Sequence, residues 1–300
     1  MFYRMNPRIL PSVRLADSVV IEPPYVHRRR KAGEYIVYLI KKGVMYLEED
    51  GRAVTLQPGD VFVLDPRFTH VGVKASWCEY FYVHFRHPEI EPFEEEKGFQ
   101  KLLLENRQES IQSDIFSYEK CEGQSLYLPK HYHMADYSSL VKVTELLNEA
   151  VENNTTQLEN YKTMLACKIL EAFVEIGRSY VSTETVAYVE EQPRSYRNVQ
   201  EMLNYLNREY AGDITGQLLE KEFGGNFDYM NRTFKKVTGQ TIFRYLNRVR
   251  INHAKALILN SPWKMSKIGE SVGFPDEYYF SRVFKKYTGK SPTEYAREGL

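Results

Sequence analysis

The chain has 300 residues, is 43% hydrophobic and 27% charged, and carries 40 basic and 40 acidic side chains, so its formal net charge is zero. That length exceeds one ordinary domain and the composition is that of a core-forming chain, which excludes a disordered or fibrous protein and predicts two folded units. No stretch reaches the roughly 20 apolar residues of a membrane-spanning helix. Arg4, Arg8, Arg14, Asp17 and Glu22 interrupt any apolar leader, so a cytoplasmic protein without membrane association is expected. Cys78, Cys121 and Cys167 are odd in number, far apart and in no CxxC pattern, which favours reduced thiols over a disulfide framework or a zinc site.

Between Tyr35 and Phe85 the apolar period is close to two. YIVYLI, VMYLEE, AVTL, VFVLD and CEYFYVHF are short, rich in β-branched and aromatic residues, and separated by turn signals. Asp50-Gly51 predicts a tight hairpin, and Pro58-Gly59-Asp60 and Asp65-Pro66 predict corners. Such a series suggests an antiparallel sandwich or jelly-roll barrel. The period then lengthens. Leu140, Val143, Leu147 and Ala150 share one helical face, and Leu158, Tyr161, Leu165, Ile169, Ala172 and Ile176 form a second stripe. Asn153-Asn154-Thr155 is expected to end the first helix and cap the second. These helices either pack on the strands or pair with a second subunit. Residues 182–196 are polar, acidic and contain Pro193, and read as a linker.

Charge is unevenly placed along the chain. Arg194 to Leu300 hold 18 basic and 11 acidic side chains, a net of +7, which leaves −7 on the first 193 residues. A polarised chain of this kind keeps nucleic acid near one end, although charge alone also fits chance. An internal repeat decides between the two. YMNRTFKKVTGQT from Tyr229 and YFSRVFKKYTGKS from Tyr279 match at Tyr, Arg, Phe, Lys, Lys, Thr and Gly with an offset of 50, and Tyr245 and Tyr295 match beyond. Each copy reads as helix, turn, helix. Leu219–Phe223 precede Gly224-Gly225, and Asn226 or Asp228 caps a helix burying Met230, Thr233 and Phe234. Ile268–Val272 precede Gly273, and Asp276 caps a helix burying Phe280, Val283 and Phe284. Asp228, Asn231, Arg232 and Lys235 in the first copy, and Glu277, Tyr278, Ser281, Arg282 and Lys285 in the second, are expected to face outward. Long polar side chains on a helix anchored by its apolar face are what major-groove reading requires. A solvated amphipathic face explains one copy; two copies on the basic side of the linker favour DNA. Thr241–Asn260, with Arg244, Arg248 and Arg250, is expected to connect the two units rigidly and space two readers about 10 bp apart.

The segment IGESVGFPDEYYFSRVFKKYTGKSPTEY resembles the signature of the AraC/XylS family of bacterial regulators, and the resemblance covers roughly Val199 to Arg297. GRAVTLQPGDVFVLDP, His70 and YFYVHF are similar to that family's cupin-type effector domain. The resemblance implies a multidomain α+β chain. An antiparallel barrel with two following helices (1–181) would bind effector and dimerise, a linker (182–196) would follow, and an all-α domain of two helix-turn-helix units (197–300) would bind DNA. It further implies a ligand-controlled regulator, mostly an activator, of a catabolic operon. Its partners would be an operator duplex, RNA polymerase and a second copy of the chain, with no cofactor. Arg232 and Arg282 become the base readers by the same resemblance. The family usually has alanine where Glu220 and Gly269 stand, so Glu220 puts a charge at a tight helix contact.

Arg28 and Arg30, with Arg29 and His27 beside them, precede the first clear strand. Tyr80, Tyr82 and His84 alternate onto one face, and Tyr38 and His70 are candidates to join it. Aromatic faces with a few polar groups suit a small polar ligand, with rings on C–H faces and Arg on hydroxyls or a carboxylate. Resemblance to arabinose-sensing members points to a sugar or sugar acid at Arg28, His70, Tyr80 and Tyr82. The alternatives are a plain barrel core, a metal-dependent cupin enzyme, or a sensor regulated by a protein partner. Against the enzyme, the strand region has no HxH cluster, and His131 and His133 fall in what reads as a surface loop.

Overall fold

A computed structural model of the chain describes residues 1–94, 98–116, 124–189 and 193–298. The contacts gather into two compact units, Met1–Phe99 with Gly123–Thr183, and Gln100–Glu122 with Glu184–Leu300. In the expected division, the segment from Gln100 onward belonged with the barrel; its described residues group instead with the helical unit.

The first unit begins with strands β1 (Phe2–Met5), β2 (Ser12–Ile21), β3 (Arg30–Lys31) and β4 (Tyr35–Gly43). Strands β5 (Met45–Glu49), β6 (Arg52–Leu56), β7 (Asp60–Leu64), β8 (Thr69–Lys74), β9 (Cys78–Arg86) and β10 (Ile90–Phe93) follow. Helix α1 (Phe99–Gln112) then precedes β11 (Leu126–Pro129), β12 (His131–His133), α2 (Tyr137–Thr156) and α3 (Tyr161–Val189). The strands form sheets ordered β12-β7-β4-β9-β2, β3-β8-β5-β6 and β10-β1-β11. The first two of these antiparallel sheets face each other across one core, as in the sandwich or jelly-roll-like barrel that the sequence suggests.

Strand β4 explains the core. Ile36, Tyr38 and Ile40 point into the space shared with Leu47, Leu56 and Leu64, while Val37 and Leu39 point the other way. Both faces are buried, so the strand is a continuous apolar run instead of an alternating one. The outer face is covered by Val143, Leu146, Leu147 and Ala150 of α2 and Leu165, Ile169, Phe173 and Ile176 of α3. These helices therefore use their main apolar stripes within the chain. The β5–β6 hairpin turns at Asp50 (φ 51°) and Gly51 (φ 74°), the paired positive angles of a type I′ turn.

Three expectations need correction. Leu158 lies before α3 and is 69% exposed, because the chain reverses at Gln157 in the left-handed region. Asn153, Asn154 and Thr155 are still helical; Asn153 bonds back to Glu149 O, and the cap is Gln157. Helix α3 runs to Val189 through half of the expected linker, and residues 190–192 lie outside the described residues.

The second unit contains α4 (Pro193–Glu209), α5 (Gly216–Phe223), α6 (Phe227–Thr238), α7 (Ile242–Asn260), α8 (Met265–Ser271), α9 (Glu277–Thr288) and α10 (Pro292–Glu298). It has two cores, one around Leu206, Leu219, Phe234 and Leu246, the other around Ile258, Ile268, Phe280 and Phe284. Helix α7 serves both: Ile242, Tyr245, Leu246 and Val249 enter the first core, Ile251, Ala254 and Ile258 the second. Two small cores thus share one helix.

Candidate nucleic-acid interface and effector pocket

The residues shared by the two repeat copies divide by what they do. Phe234 and Phe284 are fully buried and meet Tyr245 and Tyr295 edge-on at 5.6 and 5.5 Å. Thr238 donates to Phe234 O at 2.8 Å and accepts from Gln240 N, and Thr288 does the same with Phe284 O (2.9 Å) and Lys290 N. Gly239 and Gly289 end α6 and α9 at φ 75° and 80°, where a side chain would be strained. Each of these residues has a folding role. The remaining matches include Arg232 and Arg282, Lys235 and Lys285, and Lys236 and Lys286. All six are exposed, and packing gives no reason for repeating a cation at those positions.

Local capping sets the two helices. Asn226 accepts from Asp228 N and Tyr229 N at the start of α6, and Asp276 accepts from Tyr279 N at 2.6 Å at the start of α9. Gly273 turns between α8 and α9 at φ 89°. Glu220 does not jam the first unit. Its carboxylate leaves the helix contact and accepts from Phe227 N at 2.8 Å, so α5 supplies an extra cap to α6. In the second unit the equivalent Gly269 is tight, since a Cβ there would lie 3.0 Å from Phe280.

Of the expected readers, Asp228, Arg232 and Lys235 on α6 and Glu277, Tyr278, Arg282 and Lys285 on α9 are exposed, Tyr278 at 87%. Ser281 is half-buried. Asn231 differs from its expectation: it is half-buried and its Oδ1 accepts from Ile242 N at 3.0 Å, which caps α7. Arg282 lies over the Tyr279 ring at 5.4 Å, which stiffens its stem. Of the arginines on α7, Arg244 is exposed. Arg250 donates to Tyr210 O and Gly212 O, so it ties the α4–α5 connection to α7.

The first unit holds a cavity of about 740 Å³ against the inner face of the sandwich. Arg28, Arg30, Tyr38, Tyr80, Tyr82 and His84 line it. Their rings run as a ladder: Tyr38–Tyr80 at 5.0 Å, Tyr80–Tyr82 at 6.2 Å and Tyr82–His84 at 5.8 Å. His70 is not among the lining residues. It is 1% exposed on β8 and accepts from Arg30 Nε at 3.1 Å, so it acts as the support of Arg30. Sequence reasoning missed Arg14 and the β2 residues Leu15, Val19 and Ile21, which also line the cavity. Their signal is the alternating apolar pattern of β2, which precedes the period-two region from Tyr35 to Phe85.

His27 comes from the segment between β2 and β3, which rests on β8. Gly72 N donates to His27 O at 2.9 Å, and a Cβ on Gly72 would meet His27 N at 2.6 Å. The His27 ring stacks near Tyr38 and shares a 3.2 Å hydrogen bond with Tyr80 Oη. Burial, with the Arg30 charge added, lowers the pKa of His27 and of His70 to about 4, so both are neutral near pH 7. Burial also pushes Tyr38 up to about 12 and Tyr80 well above its usual range. Glu34 accepts from Arg14 Nε at 2.7 Å and from His84 Nδ1 at 2.8 Å, which fixes one wall.

His131 and His133 lie on edge strand β12, not a loop, and converge on buried Asp60 at 3.5 and 2.8 Å. Among the described residues no group of three or more His, Cys, Asp or Glu is arranged to hold a metal ion. No described helix is long and apolar enough to cross a membrane.

Residues 219–298 match the family model described as a helix-turn-helix domain, and residues 19–112 match the AraC-like ligand binding domain. The chain is 26% identical over 300 residues to the uncharacterized HTH-type transcriptional regulator YisR of Bacillus subtilis, covering 97% of each chain. It is 24% identical to the arabinose operon regulatory protein of Escherichia coli, over 87% of this chain and 80% of that one. It is 23% identical to the raffinose operon transcriptional regulatory protein RafR of Pediococcus pentosaceus, over 92% and 89%. All three are regulators and none is an enzyme by name.

Proposed function

This chain belongs to the AraC/XylS family of transcriptional regulators, and from that premise we propose that it activates a catabolic operon in response to a small polyhydroxylated ligand. The ligand occupies the cavity lined by Tyr38, Tyr80 and Tyr82, whose rings suit the C–H faces of a sugar. The names of the arabinose and raffinose relatives support a carbohydrate effector. Arg232 on α6 and Arg282 on α9 read base edges, and Lys235, Lys236, Lys285 and Lys286 contact phosphates. The chain acts as a homodimer and contacts RNA polymerase from its operator.

The observation that carries the DNA half is the split within the repeat: apart from the exposed Tyr229/Tyr279 pair, every repeated residue without a role in packing or capping is an exposed cation. The experiment is selection of bound sequences from a random duplex pool by the full-length protein at physiological salt. A motif of two blocks about one helical turn apart supports tandem reading. Recovery of no motif overturns sequence-specific regulation, and one block restricts reading to a single unit.

A further inference from the structure

We infer that the effector is a monosaccharide acid, whose carboxylate is held by Arg30 and Arg28 while its ring lies against the tyrosine ladder. The inference rests on the proposal that the cavity is the effector site, and it narrows the ligand class.

The argument is one of donors and acceptors. A neutral sugar offers hydroxyls that both donate and accept, so a site for it needs side-chain acceptors such as Asp, Glu, Asn or Gln. This cavity has few. Its polar lining comprises three arginines, four tyrosines and two histidines against the single carboxylate of Glu22, and it includes no Asp, Asn or Gln. The nearby Glu34 is already occupied by Arg14 and His84. Tyrosine hydroxyls and neutral imidazoles both donate and accept, whereas the three arginines only donate, so the arginines tip this lining toward a ligand with acceptor atoms in excess.

Charge points the same way. Arg14 has its counter-ion in Glu34. Arg30 instead donates Nε to the imidazole of His70, which is neutral near pH 7 and leaves the guanidinium charge uncompensated. No carboxylate lies within ion-pair distance of Arg28 or Arg30 among the described residues; the neighbouring Arg29 takes the partner, Glu48, at 3.8 Å. With Nε fixed on His70 and the guanidinium also hydrogen-bonded to Tyr38, Arg30 keeps further N–H groups on the cavity wall to meet a carboxylate. Register holds it there, because Arg30 is paired with His70 across β3 and β8. The cavity volume of about 740 Å³ accommodates a monosaccharide with ordered water.

The test is calorimetric titration of the full-length protein with D-galacturonate and D-glucuronate, beside D-galactose, D-glucose and glucose 6-phosphate. The expected result is that a uronate binds at least tenfold more tightly than its neutral counterpart. Arg30→Gln should then abolish that preference. Arg28→Gln, at an exposed side chain with no partner to lose, should reduce it in the same direction and guards against a misfolded Arg30 variant. Equal or tighter binding of the neutral sugars overturns the carboxylate while keeping the sugar site. Tighter binding of glucose 6-phosphate transfers the arginines to a phosphate. Binding of none of the five overturns the inference and the carbohydrate reading together.

Discussion

Glu220 shows how a residue that reads as a misfit acquires a role. A carboxylate at a close helix contact would normally cost packing, yet Glu220 turns toward the start of α6 and accepts from Phe227 N. That donor is one of those a helix leaves unpaired at its N-terminus, and a negative charge there also complements the helix dipole. Glu220→Ala is therefore expected to destabilise the helical unit by about 1–2 kcal/mol, and Glu220→Gln, which keeps an acceptor, by less than half of that. Urea unfolding of both variants measures this; equal losses would mean that the hydrogen bond is not the cause. His70 carries a second residue-scale prediction. Its pKa falls from 6.5 unfolded to about 4 folded, because burial and Arg30 disfavour the imidazolium. Between those values the unfolded chain binds the extra proton, so the contribution to stability is complete above about pH 6.5. It is lost as the pH falls toward 4, by up to about 3 kcal/mol. His27 adds in the same sense. Histidine ring signals that titrate near pH 6.5 in the folded protein would remove the effect.

At the scale of elements, α1 has the least expected position. Leu104 enters the core of the first helix-turn-helix unit. Gln108 donates to Lys236 O and Gln112 to Thr238 O, which satisfies carbonyls that the last turn of α6 leaves open. Lys255, 5% exposed on α7, reaches Asp114 just beyond α1 at 2.7 Å. Leu104→Ala should accordingly lower the stability of the helical unit by about 2 kcal/mol, the low end for a buried leucine whose site borders solvent. Hydrogen exchange should show the α6 amides opening sooner in the variant, with those of β4 and β9 unaffected. Faster exchange in the strands alone would place α1 with the wrong unit. Nothing local in the sequence announces this seat, because Gln108, Gln112 and Asp114 are ordinary surface residues until their partners more than a hundred residues away are known. The readable elements are those whose information is local. The glycine turns, the Asp50-Gly51 hairpin and the alternating ladder of Tyr80, Tyr82 and His84 depend on neighbours within a few residues, and the repeat on two motifs that are each short. Asn231 and His70 were misassigned for the opposite reason. Asn231 reads as outward by periodicity and His70 as a ligand contact by resemblance, and each is claimed by a group elsewhere in the chain, Ile242 N and Arg30 Nε.

For the whole molecule, the decisive feature is that α6 and α9, the proposed readers, both pack on α7. Its 19 residues span about 28 Å, close to the roughly 34 Å of one duplex turn, and each half is buried in a different core. Under the proposed function, α6 and α9 are then held at one spacing by α7, and changes in them should act on separate parts of one operator. Arg282→Ala is expected to cost about 1–3 kcal/mol on the preferred sequence and to flatten one block of the selected motif while leaving the other intact; Arg232→Ala should flatten the other block. Lysine substitutions should behave differently, since phosphates carry no sequence. Lys285→Gln should weaken all duplexes about equally, preserve the motif and reduce the slope of log affinity against log salt by about 1. Fluorescence anisotropy with the selected duplex and with single-block mutants, from 50 to 200 mM salt, distinguishes these cases. If Arg282→Ala lowered affinity for every duplex alike and left both blocks in place, Arg282 would be a phosphate contact, and base reading by α9 would pass to exposed Glu277 and Tyr278.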